Sequence, residues 1–193
     1  MTRRIAIIQG HPDPRGNHFG HALAEAYAQG AATAGHKLQR IEVAQLEFPL
    51  LRTKEEFETG TVPESVREAQ EAIRQADHLV ILYPLWLGGM PALLQAFLEQ
   101  VFRHGFAMTT EDRGRPKKLL KGKSARIVIT MGMPALLFRW YFGAHSLKSL
   151  RRNILAFSGI GPIRTSLIGM VEGSDARRRK WLETMRALGR DGR

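Results

Sequence analysis

Residues that could bind a ligand lie in three short segments, each directly after an apolar run. They are residues 10–19 (GHPDPRGNHF), 84–90 (PLWLGGM) and 130–134 (TMGMP). In open parallel sheets, ligands bind outside the carboxyl ends of the strands, where the loops that follow neighbouring strands meet. The sequence therefore predicts a single ligand site built from these three segments.

The first segment has the composition of a phosphate-binding loop. His11, Arg15, Asn17 and His18 come before a helical pattern that starts near Phe19. Cationic and polar side chains beside the free N–H groups of a helix start form a setting that binds phosphate. The glycine-rich nucleotide loops GxGxxG and GxxxxGK[ST] do not occur in the chain. A proline-stiffened connection with polar caps is the alternative interpretation.

The second and third segments offer flat apolar surface beside backbone amides. Trp86 stands between two leucines and is followed by a glycine pair. Thr130 and Gly132 add a second backbone-lined edge that a ligand can approach closely, because glycine has no side chain. A ring system that is apolar on its face and polar at its edge would suit this combination. Trp and Leu after a strand are also common in protein cores, which is the alternative.

Apolar runs alternate with helical patterns along the chain, and this alternation indicates the fold class. The runs typical of strands are Arg4–Gln9 and residues 37–43, 78–83, 125–130 and 162–169. Between them, apolar residues recur at three- and four-residue steps, as on the buried side of a helix. The pattern predicts one α/β domain over residues 1–193. Its five-stranded parallel sheet has the order 2-1-3-4-5, with helices on both faces.

Several helix boundaries are marked by single residues. Pro63 and Pro91 stand where the first turn of a helix tolerates proline. An apolar stripe from Leu147 to Phe157 predicts a further buried helix. Residues 48–61 carry Pro, Gly and charge, so we expect an irregular connection there.

The chain is strongly basic, with 29 Lys and Arg against 18 Asp and Glu, a net charge of +11. The basic residues lie in scattered clusters at 113–123, 151–152 and 177–180, without interleaved aromatic residues. This distribution is typical of a solvated surface, so no nucleic-acid partner is expected. Attraction of phosphate-bearing cofactors, or weak association with a membrane surface, is the alternative use of the charge.

Composition also limits the chemistry and the compartment. The chain has no cysteine, which excludes disulfides, thiolate metal sites and a thiol nucleophile, and no metal site is expected. The apolar run near the N-terminus spans only residues 5–8, shorter than the roughly 7–15 residues of a secretory signal. No stretch approaches the ~20 apolar residues that a membrane span needs. We therefore expect a soluble cytoplasmic protein.

One long stretch carries a family resemblance. YPLWLGGMPALLQAFLEQVFRHGFAM, together with a first strand that ends in GHPDP, resembles the flavodoxin-like NAD(P)H:quinone oxidoreductases and the flavoproteins associated with potassium-efflux systems. The resemblance covers about residues 4–170. It implies a flavin, with FMN favoured and FAD left open, that takes a hydride from NAD(P)H at N5. Two electrons then pass to a quinone-like small-molecule acceptor.

The resemblance also implies roles for individual residues. The flavin phosphate and ribityl chain would contact His11, Asn17, His18 and Phe19. The turn that packs on the isoalloxazine would be Pro84, Leu85, Trp86 and Leu87. The polar rim of the flavin would be completed by Thr130, Met131, Gly132 and Met133. The resemblance further implies a homodimer with the site across its interface.

Catalysis and acceptor binding are assigned in the same way. The resemblance implies His145 as a proton-relay or charge partner, with Tyr141 beside it. The slot for nicotinamide and acceptor would be lined by Trp86, Phe106, Met108, Tyr141 and Phe142. A histidine at a helix start that faces solvent is the alternative for His145.

Three departures from the family pattern bear on these roles. TMGM replaces the usual double glycine of the third segment, so this loop is bulkier. Met108 stands where long quinone reductases commonly have a tyrosine. No tyrosine has the spacing before His145 that the catalytic tyrosine of those enzymes has, and Tyr141 only approximates it. The sequence therefore does not decide whether a proton relay of two residues is present.

Other function classes fit parts of the sequence. A flavoprotein subunit that docks on a membrane transporter, with little turnover, would use the positive charge and the aromatic run 136–142 (LLFRWYF). A dimer interface or a lid is the alternative for that run. A one-electron flavodoxin carrier ranks lower, because such carriers typically have an acidic surface and a different phosphate loop. A nucleic-acid binder is supported by charge alone.

Overall fold

The computed structural model describes residues 2–110 and 116–193. Residues 113–115 of the first basic cluster lie outside the described part of the chain. Five parallel strands form one sheet in the order β2-β1-β3-β6-β7. The strands of this sheet are β1 (Arg4–Gln9), β2 (Lys37–Glu42), β3 (His78–Pro84), β6 (Ser124–Thr130) and β7 (Ile163–Ile168). Two short strands, β4 (Met108–Thr110) and β5 (Pro116–Lys118), pair antiparallel beside it.

Helices connect the strands of the sheet. The α-helices are α1 (Phe19–Thr33), α2 (Lys54–Glu58), α3 (Glu64–Gln75), α4 (Ala92–Val101), α5 (Ala135–Trp140), α6 (His145–Ser149) and α7 (Asp175–Arg190). A π-helical segment, Leu150–Ala156, continues α6. No helix in the described part of the chain is both long and apolar enough to cross a membrane.

The sheet separates two apolar layers. On one face, α3 and α4 bury side chains such as Ile73 and Phe97 against the strands. On the other face, α1 and α7 bury Tyr27 and Met185. Central strands such as β3 are therefore covered on both faces, which is why they are almost continuously apolar in sequence. The predicted α/β class, the parallel sheet and the strand order 2-1-3-4-5 are confirmed.

The structure corrects the expected elements in a few places. The second strand ends at Glu42, and Val43–Gln45 form a 3₁₀ turn instead of continuing it. The connection at 48–61 contains α2, because Thr53 and Glu56 form a reciprocal capping box that stabilises this short helix.

The prediction that Phe157 is the last residue of the buried stripe is also wrong. Phe157 is 43% exposed, whereas Leu155 is completely buried. The stripe assumed 3.6 residues per turn throughout, but Leu150–Ala156 are π-helical, and the wider turn shifts the inward face by one position.

Candidate functional site

The three predicted segments meet at the carboxyl edge of the sheet. In the register of β3 and β6, Pro84 pairs with Thr130, so both strands end side by side. The backbone N–H of Leu85 donates to the Thr130 carbonyl at 2.8 Å and ties the second segment to the third. The ring of His11 lies edge-on to Trp86, with centroids 6.1 Å apart, and brings in the first segment.

A cleft of about 900 Å³ lies between the first segment, the start of α1 and the end of β2. Asn17, His18 and Phe19, to which the resemblance gives the phosphate and ribityl contacts, line it. His18 is the N-cap residue of α1, yet its side chain does not cap the helix, and no acidic residue lies in the first turn. The positive end of the helix dipole therefore faces the cleft without a carboxylate of its own in that turn.

A cluster of histidines lies at this cleft, with His18 and His21 in its lining and His11 packed against them. His11 stacks on His18 with ring centroids 3.9 Å apart, and His21 lies 5.2 Å from His11. Burial, followed by the neighbouring His18 and His21, lowers the pKa of His11 to about 4. The Nδ1 atom of His11 accepts the backbone N–H of Asp13 at 3.1 Å, which places the single proton of the neutral ring on Nε2.

Asp13 links two side chains of the loop, Arg15 and His18. Its carboxylate lies 2.6 Å from Arg15 Nη2 and 2.8 Å from His18 Nε2. Hydrogen bonds from Arg15 and then from His18 hold the pKa of Asp13 well below its usual range. The loop is thus cross-braced by a carboxylate that stays ionised, and His18 is oriented by it.

Gln9, at the end of β1, is a site residue that the sequence reasoning missed. It is 2% exposed and lines the cleft. Its Oε1 accepts the backbone N–H of His11 at 3.1 Å, while its Nε2 has no hydrogen-bond partner. The Nδ1 atom of His21 is also buried without a partner. Buried polar atoms are normally hydrogen-bonded, so these two point to an acceptor or donor supplied by a ligand.

The second segment is a tight turn on the surface. Trp86 and Gly89 exchange two backbone hydrogen bonds, at 2.9 and 2.8 Å. Leu87 adopts a left-handed φ of 48°, a conformation that costs a non-glycine residue about 1–3 kcal/mol. The turn leaves Trp86 50% exposed and Leu87 fully exposed, so neither side chain belongs to the core.

The third segment is held by backbone bonds to the loop after β7. Met131 N–H donates to the carbonyl of Ile168 at 2.9 Å, and the Met133 carbonyl accepts from Met170 at 3.2 Å. The side chain of Met131 is buried in the core, and Gly132 is exposed. The segment therefore faces the site with the backbone around Gly132 rather than with the Met131 side chain.

The remaining predicted residues lie in two different environments. Tyr141 and Phe142 are exposed and pack edge to face at 5.0 Å, directly before His145, the exposed first residue of α6. Phe106 is buried in the core, with the guanidinium of Arg74 5.3 Å from its ring centroid. Within one chain, Phe106 does not present its ring to the cleft. Its neighbour in the proposed slot, Met108, is half-buried in β4.

A shallow groove joins the Trp86 turn to the helix that starts at His145. It measures about 510 Å³ and is lined by residues of the turn together with Ser146 and Ser149 of α6. His145 is therefore near the rim of the predicted site. Within residues 2–110 and 116–193, no three His, Cys, Asp or Glu side chains are placed to share a metal ion.

Comparison with known proteins places this chain in a family. The model of the flavodoxin-like fold family matches residues 3–188. An uncharacterized NAD(P)H oxidoreductase of Haemophilus influenzae is 30% identical over 178 residues, covering 90% of this chain and 87% of the relative. An FMN-dependent NADH:quinone oxidoreductase of Alteromonas mediterranea is 31% identical over 108 residues, covering 50% of this chain and 53% of the relative.

A solved structure agrees over the whole length. The NAD(P)H:quinone oxidoreductase from Methanothermobacter marburgensis superposes with a TM-score of 0.85 at 25% identity, covering 100% of both chains. The strand order, the three-loop site and these matches lead to one assignment. The chain belongs to the flavodoxin-like fold family.

Proposed function

We propose that this protein is an FMN-dependent NAD(P)H oxidoreductase that delivers two electrons to a quinone-like acceptor. The observation that carries the proposal is the convergence of three loops. A cleft with an uncapped helix start adjoins an exposed Trp86 turn and a backbone edge around Gly132. The names of the relatives, an NAD(P)H oxidoreductase and an FMN-dependent NADH:quinone oxidoreductase, support the same reaction.

The residues present fit a flavin mononucleotide. The phosphate would lie at the start of α1, where Gln9 Nε2 is buried without an acceptor and where Asn17, His18 and Phe19 line the cleft. His11 would stand between this end and the ring. The isoalloxazine would rest on the Pro84–Leu87 turn, and the backbone of residues 130–133 would meet its polar edge. Thr130 closes this edge from below, since it is buried at the end of β6.

The chemistry divides between cofactor and protein. A bound flavin would supply the two-electron redox chemistry, and the protein would supply orientation and exclusion of water. The indole of Trp86 offers an apolar face for a flat ring. His11, neutral above about pH 4, orients its neighbours by hydrogen bonding rather than by charge.

We assign the proton-handling role to His145, with Tyr141 beside it. Both side chains are exposed, and α6 borders the groove that reaches the Trp86 turn. A proton held on the His145 imidazole can be passed to an acceptor oxygen in that groove. Tyr141 and Phe142 would form the apolar side of the slot.

The slot is open within one chain, and we propose that a second copy covers it. Leu136, Leu137, Trp140, Tyr141 and Phe142 are all exposed large apolar side chains on or next to α5. Contiguous exposed apolar surface marks an interaction site. In the resulting homodimer, the half-buried Met108 would approach the partner's site from the β4 side, whereas the Phe106 ring stays in the core of its own chain. The absence of cysteine fits a cytoplasmic location.

An ancillary subunit of a membrane transporter is the second candidate function. The net charge of +11 and the exposed aromatic run at 136–142 favour it. In that case flavin would bind, but NAD(P)H-dependent turnover would stay low. The two candidates therefore differ in rate rather than in cofactor.

The test is a purified protein and a small acceptor panel. We expect a yellow protein that releases FMN on heating and oxidises NADH or NADPH in the presence of simple quinones or an azo dye. Trp86→Ala should raise the KM for the quinone. It should leave the free energy of unfolding almost unchanged, because Trp86 is half exposed. A protein that stays colourless after incubation with FMN and FAD would disprove the function. A yellow protein without turnover would support the transporter subunit.

A further inference from the structure

A second cleft lies at the opposite edge of the sheet, where the strands begin. It measures about 550 Å³, within the range of about 300–1,000 Å³ typical of small-molecule sites. Arg3, Arg164 and Arg193 line it together with His78 and Asp77. None of these residues takes part in the flavin site, which lies at the carboxyl ends of the same strands.

Strand register explains why basic side chains gather here. Alternate residues of a strand point to the same face, and Val80, Val128 and Ile168 face the layer of α1 and α7. His78, Arg126 and Arg164 therefore lie on that same face, nearer the amino ends of β3, β6 and β7. Arg126 and Arg164 are directly paired in the register of β6 and β7.

The cations of the cleft are mostly not neutralised by carboxylates. Arg126, 6% exposed, donates to Ser166 Oγ at 2.8 Å and to the backbone oxygen of Arg193 at 3.0 Å. Arg3 donates to the Gly192 carbonyl at 2.8 Å. Arg193 is the one that pairs with an aspartate, Asp191, at 2.7 Å.

The charges do not balance. Three arginines line the cleft, Arg3, Arg164 and Arg193, against two carboxylates, Asp77 and Asp191, so one positive charge is in excess. The buried Arg126, close enough to lower the pKa of His78, adds a second. Even if the carboxyl group of Arg193 is counted as a third negative charge, one positive charge is left. The cleft is thus electrostatically prepared for an anion.

A buried, unpartnered polar atom lies at the same place. His78 is 1% exposed, its Nδ1 lies 2.8 Å from Ser124 Oγ, and its Nε2 has no hydrogen-bond partner. Burial, and then Arg3, Arg126 and Arg164, lower the pKa of His78 to about 4. The ring is therefore neutral at physiological pH, and the positive field at this end of the sheet comes from the arginines.

We propose that this cleft is an anion site that binds a phosphate group, either free or carried by a small phosphomonoester. Guanidinium groups match the geometry of phosphate oxygens in a bidentate manner, and three of them line the cleft. The anion would connect the amino end of β1 to β7 and to the turn that follows α7. Because it would bind the native state alone, it should raise the melting temperature as its concentration increases.

The test uses the protein with FMN bound one to one and freed of unbound FMN by gel filtration, so that any phosphate site at α1 is filled and no free phosphomonoester competes for the cleft. Inorganic phosphate and ribose 5-phosphate are titrated separately by calorimetry at constant ionic strength set with chloride. We expect saturable binding at one site and a matching rise in Tm. Arg164→Gln should weaken binding at least tenfold, because Arg164 is an exposed wall of the cleft. The matched control Arg151→Gln removes an exposed charge elsewhere and should leave the binding of both probes unchanged.

Each outcome decides the proposal. Tighter binding of the sugar phosphate identifies an esterified ligand, and tighter binding of inorganic phosphate identifies the free ion. Absence of saturable binding of both probes, or equal weakening by Arg164→Gln and Arg151→Gln, overturns the site. Neither result depends on whether the protein turns over NAD(P)H.

Discussion

Gln9 is the residue on which the phosphate end of the cleft can be tested most directly. The substitution Gln9→Glu keeps an acceptor for the His11 N–H but replaces the unpartnered Nε2 donor with a negatively charged oxygen. Repulsion of the flavin phosphate should then raise the Kd for FMN about tenfold or more, which corresponds to about 1.4 kcal/mol. Quenching of flavin fluorescence on titration of the apoprotein measures this Kd.

Gln39→Glu is the control for the added charge. Gln39 is exposed on β2, away from the cleft. Its replacement by Glu should therefore change the Kd for FMN by less than about twofold relative to the wild type. Equal Kd values for the Gln9 and Gln39 variants would show that Gln9 does not face the phosphate.

Two buried histidines should make stability depend on pH. The pKa values of His11 and His78 are each lowered from 6.5 to about 4 in the folded state. Below pH 6.5 the unfolded chain binds protons that the folded chain does not, so the free energy of unfolding falls as the pH drops to 4. For His78, which is 1% exposed, a shift of this size corresponds to about 3 kcal/mol.

His78→Asn should remove a large part of this pH dependence, and the remainder comes from His11 and His21, whose pKa values are also lowered by burial. Urea unfolding of the apoprotein between pH 4 and 7, in buffers without phosphate, measures it. An unchanged slope in the variant would mean that folding does not lower the pKa of His78.

The sequence predicted part of this site at the level of single residues. His11, His18 and Trp86 were expected together, and the structure brings them into contact. Gln9 was missed because it closes a run of apolar residues, and a pattern of burial does not show whether a buried amide has a partner. Phe106 was expected at the acceptor slot, but a buried aromatic and an interface aromatic have the same signature in sequence.

At the scale of elements, α1 and α7 pack unusually closely. A Cβ atom added to Gly189 would lie 2.1 Å from the Tyr27 carbonyl oxygen, and one added to Gly30 would lie 2.0 Å from that of Arg186. These obstacles are backbone atoms, so the helices must separate to accept a side chain. We expect Gly189→Ala to lower the free energy of unfolding by about 1–3 kcal/mol or more.

Gly20→Ala in α1 is the matched control. A Cβ atom there meets no atom within 4 Å, and alanine favours a helix over glycine by up to about 1 kcal/mol. Denaturant unfolding should therefore shift in opposite directions for the two variants. A shift in the same direction would contradict close packing at Gly189.

Arg103, just after α4, holds the connection that contains α2. It is buried, and its guanidinium donates to the carbonyls of Glu56, Phe57, Gly60 and Thr61. Arg103→Met would leave these acceptors without a donor, at a cost of about 2–4 kcal/mol. Limited proteolysis should then cut within residues 54–61, whereas Arg52→Met, at an exposed site, should leave the segment protected.

Elements with strong periodicity were predictable, and those set by tertiary contacts were not. The runs that became β1, β3 and β6 are buried on both faces, and this leaves a clear apolar signal. The π-helical Leu150–Ala156 segment has no such signature, because one extra residue per turn is a response to packing. α2 was missed because its stability comes from the capping box and Arg103 rather than from a buried stripe, since none of its residues is buried.

At the scale of the molecule, the two edges of the sheet differ in what they offer a ligand. The carboxyl edge combines apolar rings with a helix start, whereas the amino edge is dominated by arginines. Part of the +11 charge is thus concentrated at a defined cleft rather than spread evenly. Net charge alone could not predict this, because the arginines come from distant points of the chain.

The apolar face at α5 carries the prediction for the assembled protein. Leu136 is 70% exposed there, beside the exposed Trp140, and would be buried in the proposed homodimer. Leu136→Glu places a charge in that interface and should convert the dimer to a monomer, as measured by analytical ultracentrifugation. FMN should still bind, with an increased KM for the quinone, because the slot loses its cover. The control Leu50→Glu adds the same charge at another exposed leucine, which is 61% exposed and far from α5 in sequence. It should leave the dimer intact. A wild-type protein that sediments as a monomer would disprove the shared slot, and the Trp86 groove would then have to bind the acceptor in a single chain.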